Sequence, residues 1–249
     1  MRWTISVSSL GPSWGWEWET VDTVLVLKIV KVILAFGAAG YVVSQVRKPD
    51  RFAGRLFAML MNQSHSKLTD WGLMHTRVEK DFTILDVGCG GGRTIGKLAA
   101  KASNGKVYGI DYAAGSVATS RSHNKELIRA GQVEIQQASV SKLPFTADTF
   151  DLVTAIETQY YWPDLPSDMR EVLRVLKSGG VLAIIAETYK GGSRDVVLGT
   201  AMKLFGSPSL GVEGHKELFA KAGYIDVEAF EEQKKGWVCI TGRKPRTVA

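Results

Sequence analysis

The sequence predicts an α/β fold in which a parallel β-sheet is covered by helices on both of its faces. Short apolar runs alternate with helical patterns along the chain, which is typical of repeated strand–helix–strand units. The first apolar run leads directly into a glycine-rich turn and a helix, and the second ends on an acidic residue. Strands are expected near residues 82–87, 106–110, 133–137, 150–155, 180–187, 225–230 and 236–242. Helices are expected at Thr94–Lys101, Ser116–Arg129, Asp168–Leu176 and His215–Ala222.

The glycine-rich turn is the most informative feature of the chain. The buried strand ending at Val87 is followed by alternating glycines at Gly88, Gly90 and Gly92. Glycine permits positive φ and carries no side chain, so a ligand can approach the backbone of this turn closely. The helix expected from Thr94 would direct its free N–H groups at an anionic group.

An acidic residue at the end of the second strand completes the pattern. Asp111 follows the apolar run 107–110, and a carboxylate at this place can accept two hydrogen bonds from ribose hydroxyls. Tyr112, the next residue, is a candidate for stacking on adenine. The turn and Asp111 together predict a site for a nucleoside cofactor. The dinucleotide fingerprint requires a glycine at position 93, where this chain has Arg93.

Five sequence blocks in the same order resemble the class I S-adenosylmethionine-dependent methyltransferases. The resemblance extends from about Phe82 to the C-terminus and is closest to the small-molecule branch that includes ubiquinone and menaquinone C-methyltransferases. It implies S-adenosyl-L-methionine as the cofactor. It also implies a Rossmann-like seven-stranded sheet of order 3-2-1-4-5-7-6 with a reversed last strand, formed by residues 81–249. The blocks are Leu85–Gly92, Gly109–Asp111, Leu143–Phe145, Phe150–Val153 and Leu173–Gly180.

The resemblance also implies roles for individual residues in cofactor binding. Asp86 lies beside the methionine part of the cofactor or its loop, and the glycines of the turn approach the cofactor. Many relatives have aspartate where this chain has Ser139, which is shorter and uncharged but can still accept a hydrogen bond from adenine. The backbone amide of Val140 is a second candidate for reading adenine.

The exit of the fourth strand is the expected acceptor side of the site. Glu157 lies where the chain passes the sulfonium and the acceptor, and it is a candidate both for binding the methionine part and for removing a proton. Tyr160 and Tyr161 stand where many relatives have histidines, and they form an aromatic wall. Glu157, Tyr160 and His65 are the candidate catalytic groups, with Glu157 preferred as the base. Methyl transfer of this kind requires no metal.

The first eighty residues lie outside the resemblance and form two expected segments. Residues 1–50 contain an apolar run at 24–43 that is long enough to span a membrane as a helix, although Lys28 and Lys31 interrupt it. Flanking charges place the catalytic domain on the cytoplasmic side. The alternatives are a helix that lies in the membrane plane, since the two lysines share one face, and a core helix packed on a soluble cytoplasmic enzyme. Residues 51–80 are expected to form a helical cap over the substrate, with His65 and Trp71 as candidate acceptor-site residues.

Composition limits the remaining possibilities. The chain has 31 basic and 25 acidic side chains, a net charge of +6, and the basic residues are dispersed rather than concentrated. This distribution argues against a nucleic-acid substrate and favours a small-molecule acceptor. Cys89 and Cys239 are the only cysteines, which fits a reducing compartment. An NAD(P)-binding oxidoreductase and a non-catalytic cofactor-binding protein at the membrane are the alternatives. The oligomeric state is left open.

Overall fold

The polypeptide forms a seven-stranded sheet with helices packed on both faces. The computed structural model describes residues 66–187 and 210–246. The strands are β1 (Thr83–Val87), β2 (Lys106–Asp111), β3 (Val133–Gln137), β4 (Phe150–Ile156), β5 (Leu176–Ala186), β6 (Ile225–Glu232) and β7 (Trp237–Arg243). The helices are α1 (Ser66–Gly72), α2 (Arg93–Lys101), α3 (Ala114–His123), α4 (Lys125–Arg129), α5 (Leu165–Val175) and α6 (Val212–Ala222), with a 3-10 turn at Gln159–Tyr161.

The order of the strands places the carboxyl ends of β1 and β4 at the centre of one edge. The sheet runs β3-β2-β1-β4-β5-β7-β6. All pairs from β3 to β5 are parallel, whereas β7 is antiparallel to both of its neighbours. The predicted order and the reversed last strand are therefore confirmed. Because the order reverses between β1 and β4, a crevice for a ligand opens beyond the carboxyl ends of these two strands.

Two apolar layers hold the sheet between its helices. On one face, Met169 and Val172 of α5 and Phe219 of α6 pack against β4, β5 and β7. On the other face, α1 and α2 contribute Leu68 and Ile95. The strands at the centre are apolar on both sides because both faces are covered.

Several boundaries differ from those predicted by sequence pattern. The single helix expected over Ser116–Arg129 is divided into α3 and α4 at Asn124, whose buried side chain donates hydrogen bonds to the carbonyls of Gly92 and Ser120, at 2.8 and 3.0 Å. Helix α5 begins at Leu165, three residues before the expected Asp168. Strand β5 begins at Leu176, four residues before the expected position 180, because Leu176 has an extended backbone and pairs with Phe150.

The N-terminal predictions fall largely outside the described residues. The apolar run at 24–43, the rest of residues 1–50, His65 and the first part of the cap segment 51–80 all lie there. The described part of the cap segment contains helix α1. Within residues 66–187 and 210–246, no helix has both the length and the apolar character needed to cross a bilayer.

One arginine holds the loop that follows β3 against helix α5. Arg174 donates hydrogen bonds to the carbonyls of Phe145 and Leu143, at 2.9 and 3.3 Å, and to both carboxylate oxygens of Glu171. Glu171 in turn accepts the N–H of Leu143 at 2.8 Å. The loop is thus fixed by a charged pair rather than by secondary structure. This explains why the Leu-Pro-Phe block lies in a defined place beside the sheet.

Removing Arg174 is expected to destabilise the fold. Arg174→Ala leaves two loop carbonyls and the carboxylate of Glu171 without their donor, which should lower the free energy of unfolding by about 2 kcal/mol. Urea unfolding measures the difference. The matched control is Arg170→Ala on the same helix, because the exposed Arg170 donates to the hydroxyl of Ser167 at 3.1 Å. Equal losses in the two variants would contradict the role given to Arg174.

Candidate functional site

The glycine turn leaves β1 in a conformation that L side chains rarely adopt. Gly88, Gly90 and Gly92 have φ of 73°, 51° and 82°. The amides of Gly88 and Cys89 donate to the carbonyl of Ile110 at 2.8 and 2.9 Å, so the turn is attached to the end of β2. The three alternating glycines of the sequence therefore occupy positions at which the backbone has a positive φ.

The three glycines differ in what surrounds them. A Cβ placed on Gly88 would lie 2.4 Å from the Thr158 methyl carbon, and one on Gly92 would lie 2.3 Å from the Ser120 hydroxyl oxygen. A Cβ on Gly90 would meet no atom of the described residues within 4 Å. The outer two glycines are thus closed in by the protein, whereas the backbone of Gly90 faces the space that a ligand can enter.

Asp111 lies at the end of β2, directly beside the turn. It is 7% exposed, and its Oδ2 accepts the N–H of Gly90 at 3.0 Å while its Oδ1 accepts the N–H of Ala113 at 2.9 Å. Burial raises the pKa of Asp111, and the two amide bonds oppose that shift. Each carboxylate oxygen has lone-pair capacity for a further donor. This geometry fits a pair of ribose hydroxyls.

Asp86 is a second acid buried at the same edge. It is 2% exposed and accepts the Thr154 hydroxyl at 2.7 Å. Burial raises the pKa of Asp86 to about 7, the hydrogen bond from Thr154 lowers it, and the nearby charge of Asp111 raises it further. Two buried carboxyl groups in one crevice favour a ligand that carries positive charge.

The residues predicted to contact adenine lie around the exits of β2 and β3. Tyr112 is 42% exposed, so a ligand can reach its side chain. Ser139 is exposed, and its hydroxyl accepts the N–H of Ser141 at 3.2 Å. The side chain of Val140 is buried. The amide of Ala138 donates to the Asp111 carbonyl at 3.1 Å, which holds this loop beside the ribose-binding candidate.

The exit of β4 is fixed to both of its neighbouring strands. Glu157 has a φ of 58°, which is unusual for a residue with a side chain. Its N–H donates to the Ile185 carbonyl at 2.9 Å, and its carboxylate accepts the N–H of Glu187 at the end of β5. The Thr158 hydroxyl donates to the Val87 carbonyl at 3.0 Å. A strained, well-anchored carboxylate at this place is a candidate for function.

The aromatic side chains that were predicted to enclose the acceptor fall into two groups. Tyr160 and Tyr161 contact each other edge to face, with ring centroids 6.2 Å apart, and Tyr160 is buried among the residues packed with α5 and α6. Trp71 belongs to the opposite face, where its ring contacts are with His75 at 4.8 Å and Trp237 at 5.9 Å. The structure therefore places Tyr160 and Trp71 in different apolar clusters, on opposite faces of the sheet. The third catalytic candidate, His65, lies outside the described residues.

Two residues of this edge were missed by sequence reasoning. Thr158 closes the turn against Gly88. Its neighbour Gln159 is 2% exposed, and neither atom of its side-chain amide has a hydrogen-bond partner in the part of the chain that the structure describes. Thr158 carries no signal in the sequence, since its role depends on two strands meeting. Gln159 has a weak signal, because it is an uncharged polar residue beside a run of aromatic residues.

Comparison with known proteins identifies the central part of the chain. Residues 85–184 match the family described as "Methyltransferase domain". The methyltransferase GfsG of Streptomyces halstedii is 34% identical over 48% of this chain and 42% of its own length. The O-methyltransferase cnsE of Penicillium expansum is 32% identical over 60% and 55%. The rice (Oryza sativa subsp. japonica) chloroplastic 2-methyl-6-phytyl-1,4-hydroquinone methyltransferase 1 is 29% identical over 58% and 42%. The chain thus spans about half the length of these curated relatives.

Solved structures agree on the fold. A SAM-dependent methyltransferase of Aquifex aeolicus has a TM-score of 0.63 and 20% identity, over 76% of this chain and 98% of that one. The geranyl diphosphate C-methyltransferase of Streptomyces coelicolor A3(2), in complex with S-adenosyl-L-homocysteine, has a TM-score of 0.60 and 16% identity, over 72% and 76%.

The burial of Asp86 predicts a pH-dependent change in stability. Its pKa of about 7 in the folded protein, against an ordinary value of 3.8, means that the folded state holds the proton more tightly than the unfolded chain. The stabilising contribution is complete below the unfolded pKa and is lost as the pH rises through about 7. Because Asp86→Asn stays uncharged, its melting temperature relative to the wild type should rise between about pH 5 and about pH 8.

Differential scanning fluorimetry over this pH range measures that difference. Asp81→Asn, which removes an exposed carboxylate, serves as the matched control for the loss of one surface charge. The assignment of a buried, proton-binding Asp86 fails if its melting-temperature difference follows that of Asp81→Asn at every pH.

Proposed function

Because this chain carries a domain of the class I S-adenosylmethionine-dependent methyltransferase family, we propose that it transfers a methyl group to a small, lipophilic acceptor. The observation that carries this proposal is the open backbone of Gly90, held by the carboxylate of Asp111. A turn that approaches its ligand through the backbone, next to a buried ribose acceptor, fits a nucleoside cofactor. Neither the fold nor the relatives favour the oxidoreductase alternative.

The cofactor half of the site is proposed to bind S-adenosylmethionine along the exits of β1, β2 and β3. In this arrangement Asp111 accepts the ribose hydroxyls and Tyr112 stacks on adenine. Ser139 and the amide of Val140 face the adenine edge. Asp86, together with Glu157, provides negative charge near the methionine part. Bound in this place, the cofactor supplies a methyl group that its sulfonium has already activated.

The protein's contribution to such a transfer is alignment rather than acid chemistry. The anchored exits of β1 and β4 fix the geometry in which a nucleophile meets the methyl carbon, and buried aromatic side chains exclude water. A base is needed only where the nucleophile must lose a proton. We assign that role to Glu157, with Tyr160 beside it, and retain His65 as a further candidate.

The acceptor is proposed to be lipophilic because the described walls near Glu157 are aromatic. Tyr160 and Trp162 are buried there and form an apolar surface with few charges. The rice relative, named for a phytyl hydroquinone, supports this class of substrate. A lipophilic acceptor would also suit residues 24–43 acting as a membrane anchor, with the catalytic domain in the cytoplasm and residues 51–80 as a cap.

Loss of Asp111 is expected to weaken cofactor binding. Asp111→Ala removes a charged acceptor of hydrogen bonds worth about 1.5–3 kcal/mol each, so affinity for S-adenosylmethionine should fall at least about tenfold. Isothermal titration calorimetry measures the affinity, and the melting temperature monitors folding. Glu134→Ala, which removes a half-exposed carboxylate from β3, is the control and should bind normally. An unchanged affinity in Asp111→Ala would refute the cofactor assignment.

Glu157→Gln tests the proposed base. The amide oxygen of glutamine can still accept the N–H of Glu187, so folding and cofactor affinity should be retained. Turnover of an alkylated hydroquinone, followed by release of S-adenosylhomocysteine, should fall at least about tenfold. Glu187→Gln removes the same charge one strand away and should have a smaller effect. If both variants turn over at the wild-type rate, Glu157 is not the base.

A further inference from the structure

Resting on the proposed function, we infer that the amide of Gln159 anchors a hydroxyl group of the acceptor. Gln159 begins the 3-10 turn after β4, and both its Nε2 and its Oε1 are buried without a hydrogen-bond partner. Among the described residues, such atoms occur in three side chains, His75, Gln159 and Trp237, and Gln159 is the one with two of them.

An unpaired buried amide is costly for the protein. Each end of the amide gives up its hydrogen bonds to water when the side chain is buried, and nothing among the described residues replaces them. Buried polar groups in proteins are almost always paired, and an exception at a binding edge points to a group that arrives from outside. Gln159 therefore has the properties of a side chain that a ligand completes.

The position of Gln159 is set by firm attachments on both sides. Thr158 before it is bonded to the Val87 carbonyl and packs on Gly88. The carbonyl of Gln159 itself accepts the N–H of Trp162 at 3.3 Å, which closes the 3-10 turn. Gln159 thus lies beside the β1–β4 switch point, directly after the residue whose side chain packs on the glycine turn.

The chemistry of the amide selects the partner. Its NH₂ donates and its oxygen accepts, so a complete partner must do both. A carboxylate or a quinone carbonyl only accepts, and a hydrocarbon does neither. The neighbouring Tyr160 and Trp162 belong to the apolar core, where a charged group would lose much hydration. Among the functional groups of organic ligands, a neutral hydroxyl on an apolar carrier is the smallest one that can satisfy both ends.

Replacing Gln159 and, as a control, Gln132 by leucine distinguishes a ligand-binding role of Gln159 from a structural role. Gln132 is the matched control because its Nε2 donates to the carbonyls of Ala99 and Ala102, at 2.9 and 3.1 Å. Gln132→Leu should lower the melting temperature, whereas Gln159→Leu should leave it unchanged or raise it, since leucine needs no partner. A drop in Gln159→Leu as large as that in Gln132→Leu would mean that the amide is already satisfied, and would overturn the inference.

Binding of a matched pair of probes then tests the hydroxyl. Isothermal titration in the presence of S-adenosylhomocysteine compares 4-octylphenol with 4-octylanisole, whose oxygen cannot donate. The wild type should bind the phenol about tenfold more tightly, and Gln159→Leu should bind both alike. Equal binding of the two probes by the wild type, or retained preference in Gln159→Leu, would overturn the anchor.

A titration with S-adenosylhomocysteine alone, carried out first, distinguishes failure of the proposed function from failure of the Gln159 anchor. If the wild type does not bind it, the proposed function fails, and the anchor fails with it. If the wild type binds it and Gln159→Leu does not, Gln159 serves the cofactor and the acceptor anchor is wrong. Equal binding by both proteins is the expected result, and the two octyl probes then test the anchor alone.

Discussion

Three consecutive backbone amides of the glycine turn are bonded to the end of the neighbouring strand. Gly88 and Cys89 donate to the carbonyl of Ile110, and Gly90 donates to the side chain of Asp111. A turn with three positive φ angles would otherwise have a large conformational freedom to lose on folding. Because β2 lies parallel to β1 in exact register, its carboxyl end meets these amides where they emerge. The position of the cofactor site follows from this pairing.

The remaining contacts hold the turn from its other sides. The Thr158 methyl fills the space over Gly88, and the side chain of Asn124 reaches the Gly92 carbonyl from the break between α3 and α4. The break between α3 and α4 thus coincides with the residue whose side chain holds the turn. The same requirement explains why these positions tolerate no side chain, whereas Gly90 stays accessible.

The features that the sequence predicted are those set by local pattern. Apolar runs, glycine spacing and the acid at Asp111 each depend on a few neighbouring residues, and they were sufficient for the strands and the turn. The order of the strands was predicted from the resemblance to the methyltransferase family. The features that it missed depend on contacts between distant segments. Asn124 divides a helix because of a carbonyl 32 positions away, and the Trp71 ring turns to Trp237 rather than to Tyr160. No periodicity in the chain encodes such pairings.

The cofactor half and the acceptor half of the candidate site differ in the charge of their buried polar groups. On the cofactor side, Asp86 and Asp111 are buried acids, and the charge of Asp111 disfavours the ionisation of Asp86, a cost that a cationic ligand would relieve. On the acceptor side, the buried polar group is the uncharged amide of Gln159, set among aromatic rings. Under the proposed function, the buried acids favour the positively charged cofactor, and the uncharged amide among aromatic rings favours the acceptor. An anionic acceptor would lose its hydration beside Tyr160 and would also approach the carboxylate of Glu157. Under the proposed function, the burial that suits the two acids to a sulfonium also favours a neutral acceptor at the neighbouring aromatic residues.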